Sequence, residues 1–288
     1  MPSEAATAAK GWAPPGRALQ PAVLRVLSIA FTIFILAYIL IPILVTVVMS
    51  FNDGSIIRFP ITAWSLRWYA DFFGSAQFTQ ALANSLIIAV GTTLIATSSG
   101  VLAAWAFQRY RFPLKGFLYM LIMLPLFMPG VVLGLGVALS FGDVRVFGVP
   151  VYGSRPLVMI AHTLWAMPLV FMLMEATFKT IDQRIVEASY DLGGRPLRTF
   201  LEIVVPAVST GIISSALFSF VISLNEFVMA LFLTTRDTQT LPVLMWLSLR
   251  SAGTPRLAVA AVVLSLAVFL CLTIIMVWYV RQLRKTER

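Results

Sequence analysis

Long runs of apolar residues dominate the chain and are separated by short polar segments. No charged residue occurs between Arg25 and Asp53, and similar charge-free runs recur along the sequence. A helix needs about 20 apolar residues to cross the hydrocarbon core of a bilayer. The pattern therefore predicts six membrane-spanning helices, at about residues 24–50, 84–107, 115–140, 156–178, 208–233 and 257–281.

This pattern also predicts the domain organisation. Residues 1–23 are mostly polar or small and are expected to form a cytoplasmic tail, whereas residues 24–288 form one transmembrane domain. The first apolar run is too long for a cleaved signal peptide. A further apolar stretch between Asp237 and Arg250 is too short to span a bilayer, so an interfacial or re-entrant segment is predicted there.

The composition agrees with a membrane protein. Of the 288 residues, 59% are hydrophobic and only 11% are charged, and the mean hydropathy is +0.92. Soluble domains carry about 25% charged residues, and disordered chains lack this much apolar surface. A single cysteine, Cys271, excludes a framework of disulfides within the chain.

The basic residues indicate an orientation. With the N-terminus inside the cell, 14 of the 21 lysines and arginines fall in inside segments. Because inside loops of membrane proteins are enriched in basic residues, both termini are expected in the cytoplasm. The same residues account for most of the net charge of +9, and their positions at helix ends argue against a nucleic-acid site.

The longest predicted inside connection, residues 179–208, is named here the EAA-like loop. Its apolar residues recur at helical spacing on both sides of Gly193-Gly194. Glycine commonly ends a helix, so two short amphipathic helices joined by a glycine hinge are predicted. On periodicity alone, their apolar face lies either on the bilayer surface or against a partner protein.

The spacing of residues in this loop resembles the EAA loop of ABC importer permeases. The family pattern is E-A-A, three residues, G, nine residues, I, one residue, L-P. Here Ser189 replaces the second alanine and Val205 replaces the leucine. The segments SFNDG, RYRF, LPLFMPGVVLGLG and SLNEF are similar to permeases of the spermidine/putrescine branch. The resemblance implies a role in coupling to an ATPase for Glu187, Ala188, Ser189, Gly193, Ile203 and Pro206.

The resemblance also implies a fold and a function. It implies an all-α membrane protein of the bacterial inner membrane, with the six-helix type I ABC importer permease fold and cytoplasmic coupling helices. The implied partners are a second permease, giving a heterodimer, two ATP-binding subunits and a periplasmic solute-binding protein. The implied cargo is a small organic cation, with a polyamine first and aminoethylphosphonate, iron, thiamine or sulfate as alternatives.

Any ATP chemistry is expected on another polypeptide. The chain contains no G-x-x-x-x-G-K-[ST] phosphate loop. ATP and Mg are therefore expected on the partner ATPase, and no cofactor is expected on this chain. The sequence likewise offers no catalytic constellation, and its single histidine, His162, provides no metal site.

Polar residues in the fifth predicted helix are candidates for a translocation pathway. Ser215, Ser219, Ser223 and Glu226 fall on one face of a continuous helix. Ionisable groups in a membrane span are costly and commonly functional, so this face predicts a pathway wall in which Glu226 attracts a cation, with Asn225 sharing the role. The alternative is that the serines allow close helix packing and that Glu226 binds a neighbouring helix or the headgroup region.

Three other features lead to local predictions. Pro125 and Pro129 in the third helix predict either a bent helix that lines the pathway or a static kink. Glu175 and Lys179 are spaced for an ion pair on one helix face. His162 is expected to form a hydrogen bond between helices.

A transporter of another class is the competing interpretation. An autonomous secondary transporter or channel would need ligands for a coupling ion, and commonly an inverted repeat. The sequence shows no convincing repeat and few acidic residues within the spans.

Overall fold

A computed structural model describes residues 20–251 and 253–286 of the chain. Most of the predicted tail, 1–23, lies outside the described residues. The described elements are α1 (Gln20–Ser50), α2 (Arg67–Gly74), α3 (Ala76–Arg109), α4 (Lys115–Met123), a 3₁₀ turn (Leu124–Phe127), α5 (Gly130–Phe141), β1 (Arg145–Val146), β2 (Val149–Pro150), α6 (Arg155–Phe178), α7 (Gln183–Asp191), α8 (Pro196–Thr199), a π-helical turn (Phe200–Val204), α9 (Val205–Ala207), α10 (Ser209–Asn225), α11 (Val228–Leu233), α12 (Leu241–Ser251) and α13 (Arg256–Thr286).

The described residues divide into two compact units, one ending at Val48 and the other beginning at Met49. In the first unit, α1 is apolar around its circumference. A helix without a polar face is suited to apolar surroundings on every side, as in a bilayer. The helix includes Pro42, and the Thr46 hydroxyl donates a hydrogen bond to the Pro42 carbonyl at 2.9 Å.

The core of the second unit is built by α3, α6 and α10, which pack against one another most extensively. Glycine allows α3 and α6 to approach closely, because a Cβ atom on Gly100 would lie only 2.6 Å from Cγ1 of Val170. Large side chains such as Ile88, Phe171 and Leu224 are fully buried on these three helices. Small residues at helix interfaces are typical of packing within membranes.

Length and composition allow six crossings of a membrane by the described residues. Four single helices qualify, those within α1, α3, α6 and α13. Two bent pairs of helices give the other two of the six predicted spans if each pair crosses once. One pair is 115–127 with α5, bent by 106°, and the other is 196–207 with α10, bent by 77°.

The predicted bend at Pro125 and Pro129 in the third span is confirmed, whereas the predicted start of the second span and the continuity of the fifth are wrong. The third span, 115–140, is interrupted because Pro125 and Pro129 lack the N–H group that a continuous helix needs, and α5 begins only after Pro129. The second span begins at Ala76 rather than residue 84. The fifth, 208–233, is not one helix, because α10 ends at Asn225 and α11 begins at Val228.

A β-hairpin and the helix α12 are among the short elements between the long helices of this unit. Strands β1 and β2 form an antiparallel hairpin through Phe147 and Gly148, whose φ angles are 48° and 83°. Two consecutive positive φ angles are characteristic of a type I′ turn. The apolar stretch before Arg250 forms α12, whose 11 residues are too few to cross a bilayer.

Candidate functional site

The EAA-like loop is held in shape by hydrogen bonds at both ends of α7. At its start, the Asp182 carboxylate accepts a hydrogen bond from the Arg184 amide at 3.0 Å, as an N-cap residue does. At its end, the Gly193 amide donates to the Tyr190 carbonyl and the Gly194 amide donates to the Ser189 carbonyl, both at 2.9 Å. This pair of bonds is a Schellman motif, so the turn between α7 and α8 has a defined geometry.

The two glycines of this turn are required for different reasons. Gly193 has a φ of +83° and open space around it, so it supplies a left-handed backbone conformation that other residues adopt at a cost. A Cβ atom on Gly194 would lie 2.7 Å from the Ser189 carbonyl oxygen. The sequence predicted a hinge at both glycines and a coupling role for Gly193, but it did not predict the steric requirement at Gly194.

The predicted coupling residues lie on both sides of this turn. Glu187 and Ala188 are exposed on α7. The Ser189 hydroxyl is 2.9 Å from the Thr199 hydroxyl, which joins α7 to α8. Ile203 is half-buried in the π-helical turn, and Pro206 is exposed in α9.

Two ion pairs follow the helical spacing that favours them. The Lys179 ammonium donates to Glu175 at 2.8 Å, as predicted, and this hydrogen bond raises the pKa of Lys179. The Arg198 guanidinium contacts both carboxylate oxygens of Glu202, at 3.0 and 2.9 Å. Both pairs are largely exposed, so they contribute little to stability.

Glu226 lies at the break between α10 and α11. Its carboxylate accepts hydrogen bonds from the backbone amides of Val228, Met229 and Ala230 at 3.0–3.2 Å. These are amides of the first turn of α11, which have no partner within the helix. The sequence predicted that Glu226 lies on a continuous helix and attracts a cation. In the structure its side chain instead caps the start of α11, and the residue is 5% exposed.

His162 on α6 lies beside this break. Its Nδ1 atom is 2.8 Å from the Ser223 hydroxyl, which confirms the predicted hydrogen bond between helices. Its Nε2 atom is 3.5 Å from Glu226 Oε2. The three side chains are nearly inaccessible, so His162, Ser223 and Glu226 form a buried polar cluster that ties α6 to α10.

The serines and Asn225 have different surroundings. Ser215, Ser219 and Ser223 are 0%, 0% and 3% exposed, in keeping with one shared face of α10. Asn225 is exposed, and its amide nitrogen donates to the Val221 carbonyl at 2.9 Å. Within this single chain, the serines face the packed interior and Asn225 faces outward.

Two open cavities flank Asn225 and Phe227. One, of about 450 Å³, is also lined by Trp165 and Glu226. The other, of about 480 Å³, is also lined by Trp246, whose ring centroid is 5.4 Å from that of Phe227. Aromatic side chains, the Asn225 amide and the largely buried Glu226 therefore line two cavities that share Asn225 and Phe227.

A polar network that the sequence prediction missed holds the segment before α12. The Asn84 amide nitrogen donates to the carbonyls of Asp237 and Gln239, both at 2.9 Å, and its Oδ1 atom accepts from Arg155 Nε at 2.9 Å. The Leu241 amide donates to the Ser85 hydroxyl at 2.7 Å. The adjacent polar residues 84 and 85 in an apolar helix were the available signal.

Comparison with known proteins identifies the family. Residues 96–287 match the family described as binding-protein-dependent transport system inner membrane component. The chain belongs to this family of permeases. The matched region contains the EAA-like loop and the break at Glu226, and the type I permease fold agrees with the prediction.

Two curated relatives match most of the permease. The putrescine transport system permease protein PotI of Escherichia coli (strain K12) is 32% identical over 77% of this chain and 80% of its own length. The spermidine/putrescine transport system permease protein PotC of Haemophilus influenzae is 30% identical over 83% of this chain and 91% of its own length.

A solved structure has the same fold. A chain from the crystal structure of a bacterial ABC transporter involved in the import of the acidic polysaccharide alginate matches with a TM-score of 0.74. The match covers 91% of this permease and 96% of that chain, at 15% identity. At this identity the similarity concerns the fold alone. The family match and the two curated relatives, rather than this structure, show that the permease is a multi-pass inner-membrane protein and a transport subunit, not a catalytic one.

Proposed function

We propose that this permease imports polyamines, with putrescine or spermidine as its cargo, as one membrane subunit of an ATP-driven transporter. The observation that carries this proposal is its similarity to PotI and PotC over about four fifths of the chain. Polyamines are flexible organic cations, and the surface around Asn225 offers groups that suit them. Aromatic faces attract ammonium groups, and an amide oxygen accepts their hydrogen bonds.

The pathway is proposed to follow the two cavities that meet at Asn225 and Phe227. Asn225 is exposed there and is available to contact cargo. Glu226 contributes negative charge beside the first cavity, while its hydrogen bonds fix the start of α11. The serine face, with Ser215, Ser219 and Ser223, is proposed to form the close-packed back of the pathway wall, against α3 and α6.

The EAA-like loop is proposed to bind a separate ATPase subunit. Ile185 and Leu192 are 55% and 90% exposed on this loop, and such apolar side chains in a polar segment are suited to a protein interface. ATP and Mg would be bound by that subunit. The full complex would contain a second permease, two ATPase subunits and a periplasmic binding protein, with the loop and both termini in the cytoplasm.

The substrate is tested by uptake in cells whose own copy of the gene has been deleted. Expression of the permease gene should restore uptake of radiolabelled putrescine. Excess unlabelled putrescine or spermidine should reduce that uptake at least tenfold, whereas a neutral sugar at the same concentration should not. Equal competition by the sugar, or putrescine uptake that is the same with and without the gene, would overturn the polyamine proposal.

A further inference from the structure

Helix α7 of the EAA-like loop has one face turned toward the helical bundle. Val186 is fully buried in a cluster that includes Phe178, at the end of α6, and Trp105, near the end of α3. Tyr190, one helical turn after Val186, packs against the same cluster. Ile185 and Leu192 are exposed elsewhere on the loop. Hence the loop offers a surface to a partner while a different face of α7 is anchored in the bundle.

The end of α3 contacts the loop at two points. The Trp105 ring lies 5.6 Å, centroid to centroid, from the ring of Phe200, which follows the glycine turn. The Arg109 guanidinium lies 5.3 Å from the ring centroid of Tyr190, which precedes the turn. Residues four apart lie on the same face of a helix. One face of α3 therefore contacts both halves of the loop.

The two halves of the loop are also joined to each other. The Schellman motif at Gly193 and Gly194 and the hydrogen bond between Ser189 and Thr199 fix α7 relative to α8. A displacement of α7 is consequently expected to move the segment through Phe200 with it. The covalent routes from α7 into the bundle run back to α6, through residues 179–182, and forward through α8 and α9 to α10, so neither leads directly to α3.

We propose that Arg109 and Tyr190 form a positioning contact that transmits movement of the EAA-like loop directly to α3. The buried Trp105 contact resists compression, and the cation–π contact at Arg109 holds α3 to the loop when the loop moves away. Helix α3 packs extensively against both α6 and α10, so movement of α3 is distributed through the core. This inference rests on the proposed binding of an ATPase to the loop.

The test uses the complete transporter, with its second permease, ATPase and binding protein, reconstituted in proteoliposomes. Tyr190→Leu removes the aromatic face, whereas Tyr190→Phe keeps it. Tyr190→Leu should retain the bound ATPase and basal ATP hydrolysis, while putrescine transported per ATP hydrolysed falls at least threefold. Tyr190→Phe should retain a ratio close to that of the unaltered protein. Tyr110→Leu, at an exposed tyrosine beside the contact, is the matched control.

Arg109 provides an independent variant, because its side chain is exposed and its replacement is not expected to prevent folding. Arg109→Gln should lower the transport ratio as Tyr190→Leu does, and the double variant should be no worse than either single one. Arg111→Gln is its control. Normal coupling in Arg109→Gln, or equal losses in Tyr190→Phe and Tyr190→Leu, would overturn the inference. Failure of the unaltered loop to bind the ATPase would instead overturn the proposed function.

Discussion

At the scale of single residues, sequence spacing predicted where the loop turns but not all that the turn requires. The position of Gly193 follows from the EAA pattern, and its φ of +83° explains a glycine there. The need for glycine at position 194 depends on the Ser189 carbonyl oxygen, which approaches only when the Schellman motif has formed. Residue spacing does not reveal a steric requirement of this kind.

The difference between the two glycines leads to a prediction. Gly193→Ala should cost about 1–2 kcal/mol because alanine is strained in the left-handed region. Gly194→Ala should lower ATP-driven uptake more than Gly193→Ala does, because the added Cβ atom would force the Ser189 carbonyl away and open the turn. Uptake and thermal stability of the purified complex measure both effects.

Gly116→Ala is the control for this pair, since open space surrounds Gly116 on α4. The steric account of Gly194 would be wrong if Gly194→Ala matched the Gly116→Ala control in both uptake and thermal stability.

At the scale of helices, charge-free runs located the spans but not their interruptions. The break in the third span has a local signal, Pro125 and Pro129, and the Pro125 carbonyl accepts a hydrogen bond from the Trp165 indole at 3.0 Å. The break at Glu226 has no proline or glycine. It is stabilised by the carboxylate that caps α11 and by His162 on another helix, which are tertiary contacts that hydrophobic periodicity does not contain.

Replacement of Glu226 should therefore affect structure as well as transport. Glu226→Ala should destabilise the protein by about 0.5–2 kcal/mol, because the first amides of α11 lose their acceptor. Glu226→Gln retains one oxygen acceptor and should cost less stability, while lowering uptake of a cation through loss of charge. Thermal unfolding and putrescine uptake, measured on the same preparations, separate the two effects.

Asn225→Ala is the matched comparison, since Asn225 is exposed and bonds only within its own helix turn among the contacts described. It should lower uptake with little change in stability. Unchanged stability in Glu226→Ala would contradict the capping role, and unchanged uptake in both Glu226→Gln and Asn225→Ala would contradict the proposed pathway.

At the scale of the whole molecule, composition and the EAA pattern were sufficient to predict a permease with six spans. The family match and the similar solved structure confirm the permease fold, and the described helices allow six spans if each bent pair crosses once. The exposed surfaces of α1 and of the EAA-like loop suit contacts with lipid or with other proteins. The structure of this chain alone does not contain those contacts. Selection of the cargo is also shared between subunits, because a binding protein that delivers the cargo would select it before it reaches this permease.

The most direct test of the account is putrescine uptake by the purified complex in proteoliposomes, with and without its ATPase subunits. The account predicts uptake that requires the ATPase, hydrolysable ATP on the side of the EAA-like loop and the binding protein on the opposite side. It also predicts no accumulation by the two permeases alone. Accumulation of putrescine by the permeases without the ATPase and without ATP would contradict the account and indicate an autonomous transporter or channel.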